Sequence, residues 1–225
     1  MRFILIAVCV LSTAFANAQV DEVSDRERHY HRGLKWFFES NYDKAIKDFD
    51  EAIRLDPKHS RAYYSRGNAW DKKGEYDKAI QDYNEAIRLN PKYADAYYSR
   101  GIAWKANGEY DKAIKDFNEA IRLNPKDMIA YNNLAFLMAS CPEAKCRNGA
   151  MALKHAKKAC ELSGWQYADC VDTLAAAYAE TGNFTEAIKR QQQAIELAPK
   201  DKKDDYKAKL ELYKQGKPFR EKPKK

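Results

Sequence analysis

Residues 60–127 are two nearly identical copies of one segment, SRAYYSRGNAWDKKGEYDKAIQDYNEAIRLNPKY (60–93) and ADAYYSRGIAWKANGEYDKAIKDFNEAIRLNPKD (94–127). Each copy has 34 residues, and the two agree at 25 of those 34 positions. The spacing extends towards the N-terminus, because Gly33, Gly67 and Gly101 stand 34 residues apart. A fixed period of this length is typical of proteins built from stacked copies of one structural unit. The sequence therefore predicts a repeat array.

Each copy has the spacing of two helices joined by a tight turn. Small or apolar residues recur at helical intervals in both halves of the second repeat: Tyr63, Gly67 and Trp70, then Ala79, Tyr83, Ala86 and Ile87. Gly74 stands between the halves, where a left-handed residue ends the first helix at no steric cost. Pro91 follows the second half, and its missing N–H stops a helix. One such hairpin is too small to bury its apolar stripe alone, so successive hairpins are expected to stack.

Five hairpins and a closing helix are predicted from this period. The hairpins occupy residues 26–59, 60–93, 94–127, 128–167 and 168–200, and the fourth carries about five extra residues near 142–146. A further apolar stripe predicts a capping helix over residues 201–215; it consists of Tyr206, Leu210 and Tyr213. Residues 19–25 form a short lead, and the basic residues 216–225 are expected to be mobile.

The first 18 residues have the pattern of an export signal. Arg2 precedes an apolar run that ends at Phe15, and the triplet Ala-Asn-Ala at 16–18 has the small-residue form of a cleavage site. We expect cleavage before Gln19 and a mature chain in the periplasm or outside the cell. The alternative is a retained membrane anchor, but the apolar run is shorter than the roughly 20 residues that a bilayer span needs. Residues 19–225 contain no other candidate span.

The repeats resemble the tetratricopeptide repeat (TPR). The Gly-x-x-Trp, Gly-x-Tyr, Ala, aromatic, Ala and Pro positions of residues 60–127 match that family's signature, and the resemblance spans about residues 26–199. It implies an all-α fold, a right-handed α-solenoid whose concave groove is lined mainly by the first helix of each hairpin. In this family the groove usually binds peptides or whole proteins. No catalytic residues come with the resemblance.

Differences between the second and third hairpins suggest where a groove ligand would bind. Four of their nine differences share one face of the first helix: Arg61/Asp95, Asn68/Ile102, Asp71/Lys105 and Lys72/Ala106. The resemblance places this face on the concave side. The candidate binding residues on it are Tyr30, Arg61, Tyr64, Asn68, Asp71, Asp95, Tyr98, Ile102, Lys105 and Asn132. With Asp169 and Asp172 in the same groove, we expect a ligand that carries both charge signs or is held by aromatic and backbone contacts. The alternatives are a solvated stripe that varies freely, and tyrosines that pack on the neighbouring hairpin.

A second correlation between repeats predicts three ion pairs. Arginine precedes the repeat glycine in the first three hairpins, and an aspartate then occupies one fixed place on the second helix: Arg32 and Asp48, Arg66 and Asp82, Arg100 and Asp116. In the last two hairpins both residue types are absent together, since Leu134 and Leu174 replace the arginine. We therefore expect each arginine to bridge to the aspartate of its own hairpin.

The cysteines are candidates for disulfides. The mature chain has four, Cys141, Cys146, Cys160 and Cys170, and an even number in an exported chain favours disulfide formation. Three pairings are possible, and hairpin geometry favours Cys141 with Cys146 and Cys160 with Cys170. A redox-active Cys141/Cys146 pair is the functional alternative, although the spacing is not C-x-x-C. The four histidines lack the spacing of zinc ligands, so no metal or other cofactor is predicted.

Charge and composition narrow the function further. The chain has 40 Lys and Arg against 33 Asp and Glu, with basic excess in residues 145–158 and after residue 200. No nucleophile with a base, phosphate loop or paired-carboxylate pattern stands out, which argues against an enzyme. The predicted function is a non-catalytic scaffold that binds a protein or peptide in the groove. The alternative is an anion-binding module that uses residues 145–158 and the tail to hold an anionic polymer, a lipid or nucleic acid. Basic runs of this kind are more commonly solvated helix faces, which argues against nucleic acid as a partner. The oligomeric state is not predicted.

Overall fold

The structure, a computed structural model, describes residues 25–222, and all regular structure in that range is helical. Eleven α-helices follow one another: α1 (25–38), α2 (Tyr42–Leu55), α3 (Ser60–Lys72), α4 (Tyr76–Leu89), α5 (Ala94–Ala106), α6 (Tyr110–Leu123), α7 (Met128–Ser140), α8 (Gly149–Leu162), α9 (Ala168–Glu180), α10 (Phe184–Leu197) and α11 (Lys203–Lys214). Two short 3₁₀ helices, Ala144–Cys146 and Lys200–Lys202, lie in the connections. The all-α hairpin class predicted from the period is confirmed. The chain divides into two compact units, one ending at Lys92 and the other beginning at Tyr93.

The first unit contains the hairpins α1–α2 and α3–α4. Its core forms around Phe49, which is fully buried together with Ala45, Ala52 and Ala62. The paired helices approach closely where the repeat places glycine: a Cβ added at Gly67 would lie 2.7 Å from the ring of Tyr83. A larger residue at this position would force the two helices apart.

The second unit contains the hairpins α5–α6, α7–α8 and α9–α10, followed by α11. A continuous apolar core runs through it from Phe117 by way of Leu134, Leu137 and Leu174 to Tyr206. Helix α11 packs on α10 and buries the predicted stripe, Tyr206, Leu210 and Tyr213. This helix therefore covers the apolar side of the last hairpin, which would otherwise face solvent.

The three predicted ion pairs are present, each within one hairpin. The guanidinium of Arg66 binds both oxygens of Asp82, with its Nε and Nη2 atoms at 2.8 and 2.6 Å. The corresponding nitrogens of Arg100 lie 2.7 and 2.7 Å from the oxygens of Asp116, and those of Arg32 lie 2.7 and 2.5 Å from Asp48. All three carboxylates are buried. A buried carboxylate needs a partner, and the planar fork of arginine supplies two parallel hydrogen bonds across the helices.

In four of the five hairpins the turn between the paired helices uses the left-handed conformation that the glycines predict; the connection between α7 and α8 has a 3₁₀ helix instead. Gly74 has φ of +78°, and in the first hairpin Ser40 occupies the corresponding turn with φ of +58°. Since L-residues other than glycine rarely adopt this conformation, Ser40 is the strained member of the series.

The predicted signal, residues 1–18, lies outside the described residues, as do most of the lead and the last three residues. Among the helices of residues 25–222, none is long and apolar enough to cross a membrane.

Candidate functional site

A cavity of about 820 Å³ opens between α7, α9 and α11 in the second unit. Helix α7 contributes Met128, Ile129, Asn132, Asn133 and Phe136; α9 and the residue before it contribute Tyr167, Asp169, Cys170, Asp172 and Thr173; the capping region contributes Lys202, Asp205, Tyr206, Ala208, Lys209 and Leu212; and Phe219 follows from the C-terminal end. We refer to this space as the α7–α9–α11 cavity. Its size and mixed lining are those of sites that bind small ligands or the side chains of a peptide.

Two carboxylates of α9 are held by α11 and the turn before it. Asp172 is buried, and it accepts hydrogen bonds from Gln191 Nε2 at 2.9 Å and from Lys209 Nζ at 2.5 Å. Asp169 accepts hydrogen bonds from Tyr206 Oη at 2.5 Å and from Lys202 Nζ at 2.8 Å. These bonds tie α11 to α9, so the polar side of the cavity is fixed before any ligand arrives.

The protonation states of Asp169 and Tyr206 follow from this contact. Burial disfavours the charged carboxylate, but the hydrogen bonds from Lys202 and Tyr206 outweigh it and hold the pKa of Asp169 below its usual value. Burial and the adjacent carboxylate raise the pKa of Tyr206. At neutral pH the pair is therefore a carboxylate and a phenol, and the ammonium of Lys202 balances the charge of the carboxylate.

Aromatic rings surround the ammonium of Lys209. Its Nζ atom lies 5.1 Å from the ring centre of Phe136, 5.5 Å from that of Tyr206 and 4.9 Å from that of Phe219. Cation–π contacts at these distances complement the ion pair with Asp172 and fix the lysine side chain. The inner wall is thus aromatic.

The opposite side of the cavity has large side chains that are exposed to solvent. Ile129 is 52% exposed and Tyr167 is 57% exposed, although both are large apolar residues. Asn132 also lines the cavity, and its Oδ1 atom is buried and accepts no hydrogen bond within the described part of the chain. A buried acceptor without a donor costs free energy, so it is a natural contact for an N–H group of a ligand.

The C-terminal residues are ordered against the second unit, contrary to the mobile tail predicted for residues 216–225. Phe219 packs on Phe136 with ring centres 6.1 Å apart, Arg220 forms an ion pair with Glu180 at 2.5 Å, and Glu221 forms one with Lys105 at 2.9 Å. The prediction was wrong for residues 217–221 because it was based on net charge, which suggested a solvated end. The aromatic, basic and acidic residues at 219–221 each find a partner on the second unit. We call residues 218–221 the C-terminal segment.

Some predicted groove residues in the second unit adjoin this cavity. Asn132 lines it, and Tyr98 accepts a hydrogen bond at 3.1 Å from Asn133, which lines it too. Lys105 is engaged by Glu221, and Ile102 is half-buried against the core. Asp95 is exposed at the start of α5.

The predicted groove residues of the first unit have more varied roles. Tyr30 was predicted to face a ligand, and this is wrong: it is 8% exposed, packed between Phe49 and the ring of His59 and covered by the guanidinium of Arg61. It differs from Tyr64 and Tyr98, which are half-buried, because His59 and Arg61 pack on it and the following repeats have other residues at these two positions. Asp71 is half-buried near the end of α3.

Asn68 has a packing role that the prediction did not include. Its side-chain oxygen accepts a hydrogen bond at 2.8 Å from the hydroxyl of Tyr83, a buried residue of α4. In the next hairpin the same two positions hold Ile102 and Phe117, which has no hydroxyl. The two differences between the repeats are therefore one coupled change, and the sequence alone contained the signal because both are among the nine differences.

The four cysteines are buried thiols in the structure, so the predicted disulfides are not shown. Burial and the neighbouring Asp111, which accepts a hydrogen bond from the thiol at 3.2 Å, raise the pKa of Cys146 to about 12. Burial likewise raises the pKa of Cys160 to about 12. Thiols with raised pKa values are poor nucleophiles, which disfavours the redox-active pair considered above. Within residues 25–222 no cluster of His, Cys, Asp or Glu has the arrangement of a metal site.

Most basic residues of the two proposed anion-binding regions have acidic partners. Lys145 pairs with Asp111 and Glu143, each at 3.2 Å, and Arg147 pairs with Glu180 at 3.3 Å. After residue 200 the pairs are Lys202 with Asp169, Lys207 with Asp204, Lys209 with Asp172, and Lys214 with Glu211. Much of the positive charge in these regions is therefore paired with carboxylates of the same chain, and the anion-binding alternative is not favoured.

Comparison with solved structures shows the same fold in several proteins. YrrB, described as a TPR protein with an unusual peptide-binding site, is 22% identical and aligns over 88% of this chain and 98% of its own, with a TM-score of 0.69. MamA is 23% identical over 81% of this chain and 95% of its own, with a TM-score of 0.67. Yeast Tom70 is 24% identical over 89% of this chain and 42% of its own, with a TM-score of 0.65. At these identities the likeness shows the fold, and a comparison with curated proteins finds no match.

Family models place the sequence more directly. Models described as tetratricopeptide repeat match residues 27–59, 94–127, 49–81 and 168–201, and one described as TPR repeat matches residues 72–108. Together they span 135 of the 225 residues. With five paired-helix repeats in the structure and these matches along the chain, the protein belongs to the tetratricopeptide repeat family.

Proposed function

We propose that this protein is a non-catalytic scaffold that binds a protein segment or peptide, and that the α7–α9–α11 cavity is the principal binding site. The observation that carries the proposal is the combination of an 820 Å³ cavity with two exposed apolar side chains at its rim and a buried acceptor inside it. The peptide-binding site named for YrrB, which has the same fold, supports the same use here.

The cavity chemistry suits a peptide with an apolar side chain and a free backbone N–H. Ile129 and Tyr167 offer apolar contact area that water covers in the unbound chain. Asn132 offers an oxygen acceptor next to them. At the capping end Asp169 is paired with Lys202, so this end of the cavity is polar with its charge balanced within the chain.

We place this activity in an exported compartment. The support is the signal pattern of residues 1–18, with its charged start, apolar run and Ala-Asn-Ala triplet. The non-catalytic assignment rests on the engaged state of the cavity carboxylates and on the raised pKa values of the buried thiols, which leave these groups poorly suited to acid–base or nucleophilic chemistry.

A displayed library of random peptides, selected against residues 19–225, tests the proposal. The double variant Ile129→Ala plus Tyr167→Ala should bind a selected peptide about tenfold more weakly or worse, because truncating apolar anchors commonly costs more than about 1 kcal/mol each. Phe38→Ala is the matched control, since Phe38 is an 81% exposed aromatic residue of the first unit and does not line the cavity.

Two outcomes contradict the proposal. Selection of no peptide, either by this chain or by a variant with residues 219–221 replaced by alanine, argues against a peptide-binding function. Equal affinity in the double variant and the wild type moves the site elsewhere, with the predicted groove residues Tyr64 and Tyr98 next to be replaced. A steep loss of affinity with rising salt would instead favour the anion-binding alternative.

A further inference from the structure

The C-terminal segment makes contacts of the kind that a bound peptide makes. The chain turns back after α11 at Gly216, which has φ of +68°, and the N–H of Lys217 donates to the carbonyl of Leu212 at 2.9 Å. This left-handed helix end reverses the chain and directs residues 218–221 across the second unit. From there the segment has no regular secondary structure of its own.

Three consecutive side chains of the segment meet three different first helices. Phe219 contacts Phe136 of α7, the guanidinium of Arg220 pairs with Glu180 of α9, and Glu221 pairs with Lys105 of α5. Each charged residue therefore meets a residue of opposite charge on a separate hairpin. A contact pattern of this kind depends on the order of the residues in the segment, as recognition of a specific peptide does.

Backbone contacts add to this pattern. The N–H of Glu221 donates to the carbonyl of Ser140 at 2.8 Å, and Arg220 Nη1 donates to the carbonyl of Ala139 at 3.2 Å. Both carbonyls belong to the last turn of α7, where helix geometry leaves carbonyl groups without partners and where positive charge is favoured. Any extended chain with the same donors would satisfy them equally well.

The segment also adjoins the proposed binding site and is held by exchangeable contacts. Phe219 is part of the wall of the α7–α9–α11 cavity. The ion pairs of Arg220 and Glu221 involve side chains that remain 33% and 26% exposed. These contacts are non-covalent and reach the surface, so an external peptide that makes the same contacts can replace the segment, against the segment's own effective concentration.

We propose that the C-terminal segment is a built-in competitor of the external ligand, and that this ligand is a peptide with consecutive aromatic, basic and acidic residues. The proposal rests on the peptide-binding function proposed above and specifies the ligand. The short connection from α11 keeps the segment at high effective concentration, so the intact chain binds an external peptide weakly until the segment is displaced.

The test uses a fluorescent synthetic peptide, GKPFREK, which copies residues 216–222. Its affinity is measured for the full chain and for a tail variant that carries Phe219→Ala, Arg220→Ala and Glu221→Ala. We expect the tail variant to bind the peptide about tenfold more tightly or better, because its own segment no longer competes. Lys217→Ala is the matched control in the same stretch and should behave as the wild type.

A charge reversal distinguishes this mode of binding from non-specific attachment. In the tail variant, Lys105→Glu should weaken binding of GKPFREK and restore binding of the peptide GKPFRKK, in which lysine replaces the glutamate that faces Lys105. If the tail variant proves poorly folded by circular dichroism, the single variant Glu221→Lys in the full chain replaces it, since it repels Lys105 and leaves the aromatic contact intact.

The outcomes separate the two proposals. Equal affinity of GKPFREK for the full chain and the tail variant, or no binding to the tail variant, overturns the competitor. If peptides from the displayed library still bind after either of these results, the peptide-binding function stands and the contacts of the C-terminal segment are only structural. If neither probe binds, both proposals fail.

Discussion

The hydroxyl of Tyr83 and the amide of Asn68 form a hydrogen-bonded pair inside the second hairpin. Asn68→Ile removes the acceptor 2.8 Å from the hydroxyl. We expect the free energy of unfolding to fall by about 1–3 kcal/mol, the usual cost of a buried polar group that loses its partner. Urea unfolding measures the change.

The double variant Asn68→Ile plus Tyr83→Phe provides the control for this pair. It reproduces the residues that the third hairpin already has, Ile102 and Phe117. Its stability should return to within about 0.5 kcal/mol of the wild type, since replacing both partners by apolar groups is often nearly neutral. Destabilisation that persists in the double variant would contradict the assigned coupling.

His155 makes the stability of the second unit depend on pH. It is buried beside Tyr131, burial lowers its pKa, and its ring nitrogens accept or donate no hydrogen bond within residues 25–222. The unfolded chain binds a proton near pH 6.5, whereas the folded chain binds it at a lower pH. The stabilisation is therefore complete above about pH 6.5 and is lost as the pH falls below it.

Thermal unfolding between pH 8 and pH 5 tests this dependence. The melting temperature of the wild type should fall across this range, and His155→Leu should reduce the fall. His59, whose pKa burial also lowers, contributes a similar dependence in the first unit and remains in both proteins. A slope unchanged by His155→Leu would contradict the assignment.

Predictions for single residues succeeded where the repeats could be compared with one another. They failed where the result depends on which side chains of another element pack on the residue. The pairing of Arg66 with Asp82 follows from the joint presence or absence of the two residue types. Burial of Tyr30 does not follow from helical spacing, because spacing gives the side of the helix and leaves open which element covers it. For Tyr30 the covering side chains are those of His59 and Arg61, at the junction before α3 and in its first turn.

At the level of elements, the Arg66 to Asp82 pair joins α3 and α4. Arg66→Ala leaves the buried Asp82 carboxylate without its two hydrogen bonds. We expect a loss of about 3 kcal/mol in the free energy of unfolding, at the low end of the range for one-sided removal of a buried pair, because Arg66 is 21% exposed. Chemical denaturation monitored by the tryptophans measures it.

Arg88→Ala provides the matched comparison on α4. Arg88 pairs with Glu85 at 2.5 Å on the exposed helix surface. Its removal should cost less than about 0.5 kcal/mol, as is usual for exposed pairs three residues apart. Similar losses in Arg88→Ala and Arg66→Ala would show that burial of Asp82 does not determine the effect.

The helices themselves were predictable, and the cavity between them was not. The helices could be located from the repeat period, the turn glycines and, for α11, the apolar stripe of Tyr206, Leu210 and Tyr213. The α7–α9–α11 cavity depends on where α11 docks, which is fixed by long-range bonds such as that of Lys209 to Asp172. A visible sequence signal was the presence of two carboxylates, Asp169 and Asp172, on the face of α9 that the groove prediction already included.

At the level of the whole molecule, export and the cysteines are linked predictions. If residues 1–18 direct export, the mature chain begins at Gln19 and reaches a compartment where disulfides form. We expect N-terminal sequencing of the exported fraction to start at Gln19. Alkylation under denaturing conditions should then find the four cysteines oxidised as Cys141 with Cys146 and Cys160 with Cys170.

Stability gives an independent measure of the disulfides. Closing a loop of about ten residues between Cys160 and Cys170 should raise the free energy of unfolding by roughly 2–3 kcal/mol over the reduced chain. In the variant Cys160→Ser plus Cys170→Ser, this contribution to the free energy of unfolding should be absent, so oxidising and reducing conditions should no longer differ by it. Full alkylation of the exported protein under denaturing, non-reducing conditions would contradict the prediction. Retention of residues 1–18 would favour the membrane-anchored alternative.

The coupling of Asn68 to Tyr83 also limits how the gene for this protein can recombine. Two DNA stretches encoding such similar repeats invite unequal crossover, which lengthens or shortens the array by one hairpin. A crossover between codons 68 and 83 would create a hybrid hairpin with an isoleucine opposite the phenol, or an asparagine opposite a phenylalanine. Crossovers outside that interval keep asparagine with tyrosine and isoleucine with phenylalanine. A change in the number of hairpins at such a breakpoint therefore disturbs folding less.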